Sequence, residues 1–217
     1  MKKRDNILML AILIIVFAVA IYAYIELPSD KQYPVHWSFK GEPDRYGSKL
    51  EVVLIGPIIT AFIYVLTAVL PKVDPKKANY PKFKGEYILI RQIIMGLLAA
   101  IYLISIMAAF GKQVRIDVWV PAIVGLLFVV LGNYMSRIKQ SWFVGIKTPW
   151  TLSNEKVWEK THRFGGRVFV IVGLIFVLNA FIGFITNMWI FLVLLLGLSL
   201  SPILYSYYIY KKLENES

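Results

Sequence analysis

The sequence predicts an all-α integral membrane protein: a six-transmembrane-helix bundle with one folded outer loop and one amphipathic cytoplasmic loop. Three observations carry this. Apolar residues make up 58% of the 217-residue chain, and mean hydropathy is +0.64. Six windows, about 7–25, 52–70, 93–110, 118–135, 168–186 and 188–208, contain no Asp, Glu, Lys, Arg or His. All 37 charged side chains therefore fall in the remaining 103 residues. A bilayer core takes about 20 apolar residues of α-helix, because each residue rises about 1.5 Å and the backbone must satisfy its own hydrogen bonds. A soluble helix of that length shows charge along one face. A soluble enzyme is excluded, and the whole of 1–217 reads as a single membrane domain.

The first window follows Lys2-Lys3-Arg4 and contains Ala18-Val19-Ala20, which mimics a cleavage site. Apolar sequence runs on through Ile25, so it reads as an uncleaved first span. Ser48-Lys49-Leu50-Glu51 is a capping box that opens the second span. Pro121 falls near a helix start, where it is harmless, whereas Pro57 and Pro202 are expected to kink their helices. Arg91 sits about one turn inside a longer third span and reads as an arginine snorkelling to the inner headgroups. Loop 111–117 is short enough for a tight hairpin, and little more than Thr186-Asn187-Met188 joins the last two spans.

Charge sets the orientation. With the N-terminus inside, inner segments hold 18 Lys+Arg and outer segments hold 6. The positive-inside rule then places a multi-pass protein in the cell membrane with both termini cytoplasmic. Inner segments total +11 and outer segments zero, so the net charge is an orientation signal and needs no direct nucleic acid binding to explain it.

Two loops exceed the 2–8 residues usual between bundled helices. In outer loop 26–51, Val35, Trp37 and Phe39 alternate with His36, Ser38 and Lys40, a strand-like period of two, and Gly41-Glu42-Pro43-Asp44 is a turn signal. The apolar stripe is an anchor for an amphipathic ligand. In inner loop 136–167, Pro149 keeps Thr148 out of helix. Ser153 reads as the N-cap of a helix over about 154–164, with Gly165-Gly166 a flexible joint beyond it. Such a helix lies along the inner surface or caps the bundle mouth, and Trp150 and Trp158 are the loop's anchors for a protein surface.

Chemistry has little material. The chain has no cysteine, which removes disulfides and thiolate ligands. Glu155, Glu159 and His162 could approach one metal on a helix, but a di-iron bundle needs two such motifs, and a Glu159–Arg163 ion pair explains the spacing better. His36 and Asp44 could form a base and its orienting carboxylate, yet no serine or second acid completes a site, and a histidine bonded to a turn carbonyl is the plainer reading. The reading is therefore no enzyme, no metal and no cofactor.

Leu27-Pro28, Pro34-Val35-His36-Trp37, Gly41-Glu42-Pro43-Asp44 and Tyr46-Gly47-Ser48-Lys49 resemble the outer-loop signature of a bacterial domain of unknown function that follows a first membrane span. The run Phe143-Val144-Gly145-Ile146-Lys147-Thr148-Pro149-Trp150-Thr151-Leu152, followed by Glu155, Val157-Trp158, His162-Arg163 and Gly166, resembles the hallmark of the SdpI family. That resemblance implies immunity to a secreted, sporulation-delaying toxic peptide, and a signalling role in which a small winged-helix autorepressor is held at the membrane. It implies an outer ligand-binding set of His36, Trp37, Gly41, Pro43, Asp44 and Tyr46. It implies an inner set, partner-binding or structural, of Gly145, Lys147, Thr148, Pro149, Trp150, Thr151, Glu155, Trp158, His162 and Arg163. Membrane lipid, the toxic peptide and the repressor are the implied partners. A transporter or channel, served by kinks at Pro57 and Pro202, is the alternative, and a membrane-embedded enzyme is the third reading.

Overall fold

The computed structural model describes residues 6–216. Uncharged apolar sequence becomes helix wherever it is long enough, since only helix satisfies backbone groups within one segment. The elements run α1 (Ile7–Glu26), β1 (Tyr33–Trp37), β2 (Pro43–Gly47), α2 (Lys49–Val73), a 3-10 segment (Lys77–Phe83), α3 (Lys84–Ala109), α4 (Ile116–Met135), α5 (Pro149–Ser153), α6 (Glu155–Ile182) and α7 (Met188–Asn215). Among the described residues, six helices are long and apolar enough to cross a membrane. Large apolar side chains such as Ile14, Phe62, Leu178 and Val193 stay exposed along them, as lipid-facing residues do.

Two compact units divide the chain: Met1–Ala68 with Arg91–Pro121, and Val69–Ile90 with Ala122–Ser217. In the first, Val16, Ala20, Ala23 and Leu27 of α1 and its end pack with Val52 and Val53 of α2, Tyr102 and Ile106 of α3, and Tyr33 of β1. Pro57 gives α2 no amide hydrogen, which leaves the Val53 carbonyl without its helical donor. The Tyr102 hydroxyl donates to that oxygen at 2.9 Å. Tyr102 lies so close over Gly56 that a Cβ there would overlap its ring.

Arg91 corrects an expectation. It is buried, with Nε donating to Thr67 Oγ1 at 2.9 Å and a terminal nitrogen to the Tyr64 carbonyl at 3.2 Å. Protein groups, not headgroups, solvate this cation.

In the second unit, α4 and α6 meet backbone to backbone. A Cβ on Gly125 would lie 2.7 Å from the Gly173 carbonyl oxygen, and one on Gly132 would lie 2.5 Å from that of Gly166. The expected joint at Gly165-Gly166 does not exist, because both residues are helical and buried inside α6. Glycine costs a helix about 1 kcal/mol relative to alanine, but here it permits the closest approach of two helices. The helix expected over 154–164 is thus the first part of a 28-residue helix.

Two further boundaries shift. Ser153 ends α5, and Asn154 caps α6 by accepting from Lys156 N at 2.9 Å and Val157 N at 3.2 Å. Helix α6 ends at Gly183, with φ +70°, so residues 183–187 link it to α7. The Asn179 side chain holds this link by accepting from Ile185 N at 2.7 Å. Helix α7 continues through Pro202, and Ser201 Oγ donates at 2.7 Å to the Leu198 carbonyl that the proline leaves free. At both Pro57 and Pro202 a hydroxyl takes the carbonyl that the proline leaves without its donor.

Candidate functional site

The outer-loop motif folds as an antiparallel hairpin. Its register pairs Tyr33 with Gly47, Pro34 with Tyr46, His36 with Arg45 and Trp37 with Pro43, with irregularities on either side of His36. Gly41 closes the turn at φ +78°, where its amide donates to the Ser38 carbonyl at 2.9 Å. A Cβ at Gly41 would also meet Asp117 at 2.8 Å, so the turn is seated on the first residues of α4. Tyr33 is buried and donates to the Pro28 carbonyl at 2.7 Å, while its burial, with Asp30 nearby, raises its hydroxyl pKa. At the start of α2, Glu51 N donates to Ser48 Oγ at 3.3 Å, whereas the Glu51 carboxylate accepts from Arg45 at 2.7 Å.

This fold sorts the expected ligand residues. His36 Nδ1 and Asp44 Oδ1 are 2.5 Å apart on the exposed side, so the histidine bonds a carboxylate and not the turn carbonyl expected of it. Pro43, Asp44 and Tyr46 are exposed, Trp37 and Gly41 are half-buried, and Phe39 is exposed. Val35 is turned in against the core and leaves the apolar stripe. The exposed residues of the motif are therefore His36, Phe39, Pro43, Asp44 and Tyr46, with Trp37 half-covered.

The inner-loop motif is a tied loop. Thr148 is extended (φ −124°, ψ 162°) and caps α5, accepting from Thr151 N at 3.1 Å. Thr151 Oγ1 accepts from Thr148 N at 2.8 Å in return. Pro149 occupies the first helical turn, where its missing N–H costs nothing. Thr148 Oγ1 lies 3.0 Å from Ser206 Oγ, which fastens the motif to α7. From α6, Trp158 Nε1 donates to the Ile138 carbonyl at 2.8 Å, and His162 Nε2 accepts from Ile146 N at 3.0 Å. The two rings stack at 3.9 Å. Gly145 passes over them at φ +113°, where a Cβ would stand within 2.4 Å of His162 Nε2.

Trp158, His162, Thr148 and Thr151 are consequently interior. Trp158 is no surface anchor, because none of it is exposed. Trp150 is half-buried with its ring 5.0 Å from that of Tyr207, and Lys147, Pro149, Glu155 and Arg163 face outward. Glu159 pairs with Lys139 at 3.3 Å, where the sequence suggested Arg163. With both His162 nitrogens engaged, and Glu155 and Glu159 exposed, the three side chains do not converge on one point.

Sequence reasoning missed the polar centre beside this loop. Asp74 is buried, and its carboxylate accepts from Tyr80 at 3.0 Å, Ser141 Oγ at 3.1 Å, Trp142 N at 3.0 Å and Lys76 N at 2.7 Å. Gln140 spans the gap, taking Lys76 Nζ at 2.7 Å and donating to the Thr151 and Leu152 carbonyls at 2.7 and 2.8 Å. The signal was Asp74-Pro75, a turn initiator directly after an apolar span.

Comparison with known proteins agrees with this architecture. Residues 137–206, which hold the tied loop and α6, match the model of the SdpI/YfhL protein family. Residues 11–61, which hold the hairpin, match a domain of unknown function (DUF1648). No solved structure matches. The Immunity protein SdpI of Bacillus subtilis (strain 168) is 32% identical over 218 residues, covering 99% of each chain. That family is not a known family of enzymes. With one such relative aligned along the full length of a six-span helical membrane protein, the chain belongs to the SdpI/YfhL family.

Proposed function

We propose that the protein protects its cell from a secreted toxic peptide and signals that engagement across the membrane. The observation that carries the reading is the 32% identity to an immunity protein over 99% of both chains. Here 1–217 acts as one membrane domain of six spans, with both termini cytoplasmic and the hairpin outside, as the 18-to-6 division of Lys+Arg favours. The toxic peptide meets the hairpin at Trp37, Phe39 and Tyr46, beside His36 and Asp44. Aromatic side chains on a rigid turn suit an amphipathic ligand, because they give contact area at little entropic cost.

On the cytoplasmic side, Lys147, Pro149, Trp150 and Glu155 form the outward face of the tied loop and hold a winged-helix repressor. The protein itself contacts no DNA. The test is expression in a toxin-sensitive strain followed by a survival assay. Survival above that of an empty-vector strain supports the reading, and equal killing at confirmed membrane insertion overturns it.

A further inference from the structure

Three cations of α6, Lys160, Arg163 and Arg167, lie at i, i+3 and i+7, which puts them on one helical face. That face borders α7, where Tyr205, Tyr208, Ile209 and Lys212 repeat the same spacing. With Phe164 these residues enclose a groove of about 350 Å³. Phe164 stacks on Tyr205 at 4.4 Å and forms its apolar floor.

No carboxylate lines the groove. Glu159 turns to Lys139, and Glu216 stands 4.0 Å from Lys212 at the end of α7. Among the described residues, Lys160, Arg163 and Arg167 have no carboxylate within ion-pair distance. A positive-inside bias explains why cations lie on this side of the membrane. It does not explain why four of them converge between two helices, three of them without a counter-charge.

From Tyr208 at the groove an apolar stripe runs back along α7. Leu200, Leu204 and Tyr208 follow one another at i, i+4 and i+8 along α7, and all three are exposed. A ligand with its anionic head among the cations would lay its hydrocarbon along this stripe. We infer that the groove between α6 and α7 is a binding site for one anionic phospholipid. Its phosphate is held by Arg163 and Arg167 with Lys160 and Lys212 behind, and its acyl chain lies on Leu204 and Leu200. Arginine forks suit phosphate oxygens, tyrosine hydroxyls sit naturally at headgroup depth, and basic pockets between spanning helices are a known way of recognising acidic lipids.

The experiment uses the full chain purified in a neutral detergent, with lipid binding read by native mass spectrometry and by thermal unfolding. Phosphatidylglycerol should bind and raise the unfolding temperature, and phosphatidylcholine should do neither. The Arg163→Gln/Arg167→Gln pair should weaken phosphatidylglycerol binding about tenfold or more, whereas Arg163→Lys/Arg167→Lys should retain most of it. Lys77→Gln/Lys156→Gln removes two exposed charges outside the groove and should leave phosphatidylglycerol binding unchanged. If the first pair fails to fold, Lys160→Gln/Lys212→Gln must show the same selective loss. Equal binding of both lipids, or equal loss in the Lys77/Lys156 control, overturns the site. Glycerol 3-phosphate binding as tightly as the lipid would also overturn it, by assigning the groove to a soluble phosphate.

Discussion

His162 accepts the Ile146 amide proton on Nε2 at 3.0 Å, and its Nδ1 lies 2.8 Å from the Trp158 carbonyl. An amide can only donate, so Nε2 must be the acceptor and Nδ1 must carry the ring proton. One neutral imidazole thereby ties the loop to the helix from both sides. His162→Ala should remove two buried hydrogen bonds and a stacked ring, a loss of about 2–5 kcal/mol. Glu159→Gln, three residues away but exposed and paired only with Lys139, should cost less than about 1 kcal/mol. Thermal unfolding of both variants in detergent checks this, and similar shifts would contradict it.

Gly145 should tolerate nothing larger. Its φ of +113° and the 2.4 Å approach to His162 act together, so Gly145→Ala should lose folded protein by size-exclusion chromatography. Gly111 also has positive φ, at +74°, but open space around it. Gly111→Ala should therefore show only backbone strain, about 1–3 kcal/mol.

The α4–α6 contact makes a second contrast among glycines. Gly132→Leu or Gly173→Leu should force the two backbones apart and reduce membrane-inserted protein several-fold. Gly197→Leu, with no atom within 4 Å of its Cβ position, should be neutral. Immunoblotting of membrane fractions decides between them.

Orientation can be read directly, because the chain has no cysteine of its own. Ser38→Cys in the hairpin turn should react with an impermeant maleimide in intact cells. Ser153→Cys, exposed at the end of α5, should react only after permeabilisation. Labelling of position 153 from outside would reverse the proposed topology.

The two loops should separate by mutation. Tyr46→Ala and Asp44→Ala change exposed hairpin residues, so survival against the toxic peptide should fall while inserted protein stays constant. Lys147→Ala should spare survival and weaken recruitment of the cytoplasmic partner, read by membrane co-fractionation. Trp158→Ala should lose both activities with its abundance, because the ring is wholly interior. If all four variants lose both activities in step with abundance, the two-surface scheme fails.

The sequence by itself determined the membrane class and the six spanning helices, and it marked the outer loop as folded. Each follows from a local rule: uncharged runs of 18–21 residues must be helical in lipid, and alternation ahead of a Gly-Glu-Pro-Asp turn signals a strand that only the structure pairs. It also marked the G-I-K-T-P-W-T-L run as specific, but not as interior. Tertiary structure alone decided that Trp158 and His162 are buried, that Arg91 is held by Thr67 and Tyr64, and that Asp74 gathers four donors. The reason is the same in each case. Buried polar side chains call for partners, and Ile146, Tyr64 and Ser141 become the partners of His162, Arg91 and Asp74 only after the helices pack. Gly166 is the sharpest instance: in sequence it is a joint, and only the Gly132 carbonyl lying against it makes it a contact.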